Sequence, residues 1–188
     1  MTSPHINSVN LWTKEQLNLA FHLYCQLPFG KLHYRNPEIV ALANLIGRTP
    51  SAVAMKLVNF ASLDPAITGT GRKGLGNASA ADHAVWEEFH ADWEGLATQC
   101  EKIITKLGGK VVVSNKDEIV TDDSPNGYSG SNRIATVNVR VKQQFFRRAV
   151  LSSYQNRCCM SGATTKELLV ASHIVPWAKD EANRLNPH

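Results

Sequence analysis

Between residues 36 and 51 the chain writes out the ends of two helices and the corner that joins them. Asn36-Pro37 and Thr49-Pro50-Ser51 each set a capping side chain ahead of a proline, and Gly47 stands between them. Proline in the first helical turn gives up only an N–H that has no partner there, and glycine past the last turn adopts a positive φ without steric cost. The spacing predicts a helix from Pro37, with Ile39, Leu42, Ala43 and Leu45-Ile46 as its apolar face and Gly47 as its stop. A second helix follows from Thr49, with Val53, Ala54, Leu57 and Val58 in one stripe.

Two helices joined by a tight glycine-containing turn make a helix-turn-helix. In that arrangement the second helix offers its N-terminal residues to a DNA major groove, which nominates Ser51, Ala52, Met55 and Lys56 as contacts and Arg48 as a phosphate partner. Helical hairpins of the same pattern also occur in bundles that never meet DNA. Upstream, Thr13 and Gln16 have capping-box spacing, followed by Leu17, Phe21 and Tyr24 on one face, so a helix is expected over about 14 to 26. Downstream, Thr-Gly-Thr-Gly-Arg-Lys-Gly-Leu-Gly-Asn lies in a basic loop between Ile67 and Ala81, where Arg72 and Lys73 are candidate phosphate contacts. It is not a P-loop, since no GKS or GKT follows, and a mobile surface connection is the favoured reading over a nucleotide site. Residues 80–107 carry Val85, Phe89, Trp93, Leu96, Cys100, Ile103, Ile104 and Leu107 at helical spacing, with Trp86 and Trp93 as core anchors.

The chain has 188 residues, enough for one or two domains. It has no run of about 18 apolar residues, and its N-terminus lacks the basic start and apolar centre of a signal peptide. No membrane span is expected, and the cytoplasm is the expected compartment. The formal charge of +4 decides little, but Arg133, Arg140, Lys142, Arg147, Arg148 and Arg157 gather with no acidic residue between Asp123 and Glu167. That field suits a phosphate backbone, and Arg147 and Arg148 are candidate contacts; a solvated helix face is the alternative. Cys25, Cys100, Cys158 and Cys159 show no framework spacing, so reduced thiols are expected, and a single Cys158-Cys159 pair does not support four-coordinate zinc. His5, His22, His33, His83 and His90 share no motif and are read as structural or exposed.

After Gly108-Gly109, residues 110–132 are polar apart from Val111-Val112-Val113 and read as a linker. A helical pattern from Val141 to Tyr154 then leads into Arg157-Cys158-Cys159-Met160-Ser161-Gly162, read as a short strand and glycine turn. Leu168 to Ile174 is read as an apolar strand with His173 near its end, terminated by Pro176-Trp177. The patterns FRxxVLxxYxxRCxxSG, LLxASHIxPW and NRLNP, in this order, resemble a bacterial HNH nuclease family found in restriction-type proteins. The resemblance implies the N-terminal hairpin of a ββα-metal fold, a divalent cation, Mg2+ or Mn2+, and His173 as the general base that activates water. A histidine suits that task because its ordinary pKa is about 6.5. Ser172 stands where many HNH sequences carry an acidic residue that helps hold the cation, so the metal ligands around Ser172 and His173 stay unassigned. The family continues with an Asn-Gly-Leu segment and a helix bearing a further histidine or aspartate, neither of which lies before His188.

The expected architecture is mainly α with a small α+β part. A helical, helix-turn-helix-like domain spans residues 1–107, a linker 108–135, and an incomplete ββα-metal HNH domain 136–188, lacking the second-strand region and the metal-binding helix. The expected function is HNH-type endonuclease cleavage of double-stranded DNA in restriction or defence, with a homodimer possible and this truncated chain inactive. A DNA-binding module without catalysis and a protein-interaction domain are the alternatives.

Overall fold

The computed structural model describes the backbone of residues 11–109 and 130–173, and the side chains of all of these except 130–141. Among the described residues are seven α-helices: α1 (Lys14–Gln26), α2 (Pro37–Leu45), α3 (Pro50–Leu63), α4 (Pro65–Thr68), α5 (Ala80–Ala91), α6 (Trp93–Lys106) and α7 (Gly130–Ser153). The mainly helical class is therefore correct. Two 3-10 turns, Phe29–Lys31 and Lys166–Leu168, complete the regular structure described.

Local chemistry explains where the helices begin. Thr13 and Gln16 form a reciprocal capping box on α1, the Gln16 N–H donating to Thr13 Oγ1 at 3.2 Å. Asn36 and Thr49 cap α2 and α3, each ahead of its proline. At the end of α2 the Arg48 N–H donates to the Ala43 carbonyl at 2.8 Å while Gly47 sits at φ +67°, the bond and left-handed residue that close a helix and turn the chain toward α3.

The packing is organised around α1, which contacts α2, α3, α5, α6 and α7. Every residue from Leu17 to Cys25 is buried, so α1 is a central helix covered on all sides rather than a one-faced surface helix. Phe21 is fully buried and meets Phe60 edge to face with ring centroids 5.0 Å apart, Phe89 at 4.7 Å and Trp86 at 5.5 Å. On the other side of α1, Phe145, Phe146 and Ala149 of α7 join the same hydrophobic core as Leu19, Leu42 and Phe60.

Four features differ from the sequence expectation. The helix expected over 80–107 is two helices, because Asp92 leaves helical geometry and its carboxylate accepts the Gly95 N–H at 2.8 Å, capping α6. Asp64 likewise caps the short α4, whose last residues, Ile67 and Thr68, fall at the start of the expected loop. Helix α7 begins at Gly130, within the stretch assigned to the linker, and carries straight through the alternating residues 136–141. No strand occurs among the described residues, so the ββα portion is not observed. Cys158 to Gly162 forms a tight turn, with the Gly162 N–H on the Cys158 carbonyl at 2.9 Å and the Cys158 N–H on the Ala163 carbonyl at 2.8 Å. Leu169 is extended, but no neighbouring ladder receives it among the described residues. The end of the expected strand at Ile174, Pro176-Trp177, the NRLNP stretch and residues 110–129 of the linker lie outside the described residues.

Candidate functional site

Helix α7 ends at Ser153, and the chain reverses through Gln155 and Asn156, both at φ 54°. The reversal brings residues 158–173 back along α7. Two adjacent α7 side chains hold the returning segment. Arg147 donates from Nη1 to the Leu169 carbonyl at 2.5 Å and from Nη2 to the Lys166 carbonyl at 3.4 Å. Phe146, itself buried in the core, lies flat against the His173 imidazole, with ring centroids 3.9 Å apart and planes within 7°. Leu169 is buried, and Ala171 packs on the core. The histidine is thus fixed from both ends: its ring by an aromatic plate, and its segment by a guanidinium on two carbonyls. It remains half-buried, and Ser172 beside it is exposed.

Side chains alternate along this segment, with Leu168 76% exposed, Leu169 7% and Val170 84%. Leu168 closes the 3-10 turn and Leu169 follows it in extended geometry. No group of three His, Cys, Asp or Glu side chains that could hold a metal ion occurs among the described residues.

The turn at 158–162 carries a distinct thiol. The Ser161 hydroxyl foremost, and then the backbone N–H groups of Ser161, Met160 and Gly162, stabilise the Cys158 thiolate and bring its pKa down to about 7. Cys25 and Cys100 behave oppositely, since burial foremost pushes both thiols up.

The nominated DNA contacts divide into two groups. Ser51 and Met55 are exposed near the start of α3, and Ala52 is half-buried. Lys56 is not available: it is buried, and its ammonium binds both oxygens of the fully buried Asp82 at 2.8 and 3.0 Å. It lies three residues after Val53 and four before Phe60, on the core face of α3. Arg48 turns back onto α1, donating to Gln16 Oε1 at 2.9 Å and to the Leu11 carbonyl, with its guanidinium over the Trp12 ring. Arg148 pairs with Glu38 of α2. Arg72 is exposed and lies 5.8 Å from the Phe29 ring centroid, and Lys73, Arg157 and Lys166 are exposed. The loop carrying Arg72 and Lys73 is pressed onto α3 at Gly74, where a Cβ would stand 2.4 Å from the Ser62 backbone nitrogen. Arg133 and Arg140 fall among the residues whose side chains lie outside the description.

Sequence reasoning named His173 but missed Phe146 and Arg147 as its supports. The Phe145-Phe146-Arg147-Arg148 run held the signal. On α7 the two phenylalanines share the core with different neighbours, His22 for Phe145 and His173 for Phe146. Comparison of the chain with protein-family models, with curated proteins and with solved structures finds no match. No helix among the described residues is long and apolar enough to cross a membrane.

Proposed function

We propose that this chain carries the histidine arm of an HNH-type DNA endonuclease, with His173 as the base that takes a proton from water attacking a phosphodiester. The observation that carries the reading is the held imidazole: a half-exposed histidine stacked on Phe146 at the end of a segment pinned by Arg147. A general base needs a fixed ring, and the stack on Phe146 supports that requirement. The exposed Arg157 and Lys166 lie on the same returning segment and suit a phosphate backbone. The cation, Mg2+ or Mn2+, belongs to the proposal through the family resemblance of the motif.

The test is nicking of supercoiled plasmid by the protein together with whatever its gene encodes beyond His188, with Mg2+ or Mn2+. Cutting is expected, and His173→Ala abolishes it while circular dichroism shows the helices intact. An unchanged cutting rate in His173→Ala removes the assignment.

A DNA-binding module without catalysis is the second reading. It draws on the α2–α3 corner and on the exposed Ser51 and Met55 at the start of α3. Duplex binding that persists without metal, falls steeply with salt, and weakens in Met55→Glu favours it.

A further inference from the structure

Cys158 and Cys159 are the accessible thiols of the chain: Cys158 is half-buried and Cys159 exposed, whereas Cys25 and Cys100 are buried. The two stand side by side in the turn that opens the segment returning along α7. Its own backbone fixes that turn, with the Cys158 N–H on the Ala163 carbonyl, the Gly162 N–H on the Cys158 carbonyl, and Gly162 at φ +72°. The Ser161 N–H donates to the Cys158 sulfur at 3.4 Å, and the pKa of this thiol is down at about 7. Cys158 is therefore held in the thiolate form in which cysteine ligates metals. Met160, 92% exposed, sets a thioether on the same turn.

The ordinary fate of two neighbouring thiols, a disulfide, is obstructed here. A trans peptide joins the two residues, so their Cα atoms are about 3.8 Å apart, whereas disulfides span about 4.4–6.8 Å. An ion between the sulfurs contributes a bond to each of about 2.3 Å, the length of a zinc–thiolate bond, and lifts that restriction. Zinc itself asks for about four ligands. No group of three His, Cys, Asp or Glu side chains that could supply them occurs among the described residues. A soft d10 ion is satisfied by fewer ligands and prefers sulfur. A monovalent ion on two thiolates leaves one negative charge, and the exposed Arg157, next in the chain, offers the countercharge.

We propose that Cys158 and Cys159 form a binding site for a soft monovalent d10 cation, of which Cu(I) is the example, with both thiolates as ligands. Copper enters already reduced, so no electron is transferred. The Cys159 proton, and any still on Cys158, passes to solvent as the metal–sulfur bonds form. The site is separate from His173, and the inference does not rest on the nuclease reading.

The test is anaerobic competition for Cu(I) between the 188-residue protein and the colorimetric chelator bicinchoninate, with ascorbate present. The protein is expected to withdraw one equivalent of copper, and X-ray absorption at the copper edge to show sulfur ligands alone. Cys158→Ser and Cys159→Ser, both in a surface turn outside the core, are each expected to weaken Cu(I) by more than about tenfold. An equal amount of Zn(II) is expected to leave the copper in place. No withdrawal of copper, undiminished affinity in either serine variant, nitrogen or oxygen in the copper shell, or displacement by equimolar Zn(II) would overturn the proposal.

Discussion

Single side chains in this molecule are committed in ways their types do not announce. Lys56 was legible as a surface cation on a recognition helix only while its partner, 26 residues away, was unknown. Asp82 satisfies the Ser79 N–H at 2.8 Å and both contacts to Lys56, with no exposure of its own. Removing one member of such a pair leaves the other buried and uncompensated, so Asp82→Ala is expected to lower unfolding free energy by about 3–5 kcal/mol in urea titration. A loss under about 1 kcal/mol would show the pair to be solvated. Cys158 offers a second measurement. Its thiolate fraction rises through about pH 7, so iodoacetamide labelling of this residue should climb between roughly pH 6 and 8 and then level off. Cys25 and Cys100, buried and held protonated, should stay unlabelled over that range in the folded protein, as peptide mass spectrometry would show.

Helices whose ends are written in local chemistry were the most legible elements. Thr13 with Gln16, Asn36 with Pro37, Gly47, and Thr49 with Pro50 act within a few residues of themselves, so the bounds of α1 and α2 and the start of α3 followed from the sequence. The break at Asp92 was hidden because Trp93 continues the apolar spacing across it, and both α5 and α6 bury that face. The strand near His173 rests on the apolar run from Leu168, but a strand also needs a ladder partner, which is a property of two segments and not of one. The same limit concealed the supports of His173: Phe146 and Arg147 were visible as a run, while their use depended on a reversal through Gln155 and Asn156. Two tests belong at this scale. Gly47→Ala meets no atom within 4 Å, so its cost is purely backbone and should be about 1–2 kcal/mol, read as a lower thermal midpoint. Arg147→Ala should raise hydrogen exchange of amides 166–173 while leaving α1 protected; unchanged exchange would mean the segment is held by Leu169 and the His173 stack alone.

Across the whole molecule, α7 brings residues far along the chain into the core built by α1 to α6. Phe145 is 2% exposed against α1, and its loss should cost about 3–5 kcal/mol. Since that packing is shared, Phe145→Ala should shift one common unfolding transition, recorded alike by circular dichroism and tryptophan emission, rather than release α7 alone. Two separated transitions would show that α7 and the helices before it melt independently. The corner between α2 and α3 offers an optical handle on the same protein. Trp12 has the Arg48 guanidinium 4.6 Å from its ring centre and the Lys56 ammonium at 5.4 Å. An indole's emission colour depends on the electric field across its ring. Any phosphate that draws Arg48 away is therefore expected to change the hue of Trp12, and the chain would register such a visitor without an added dye.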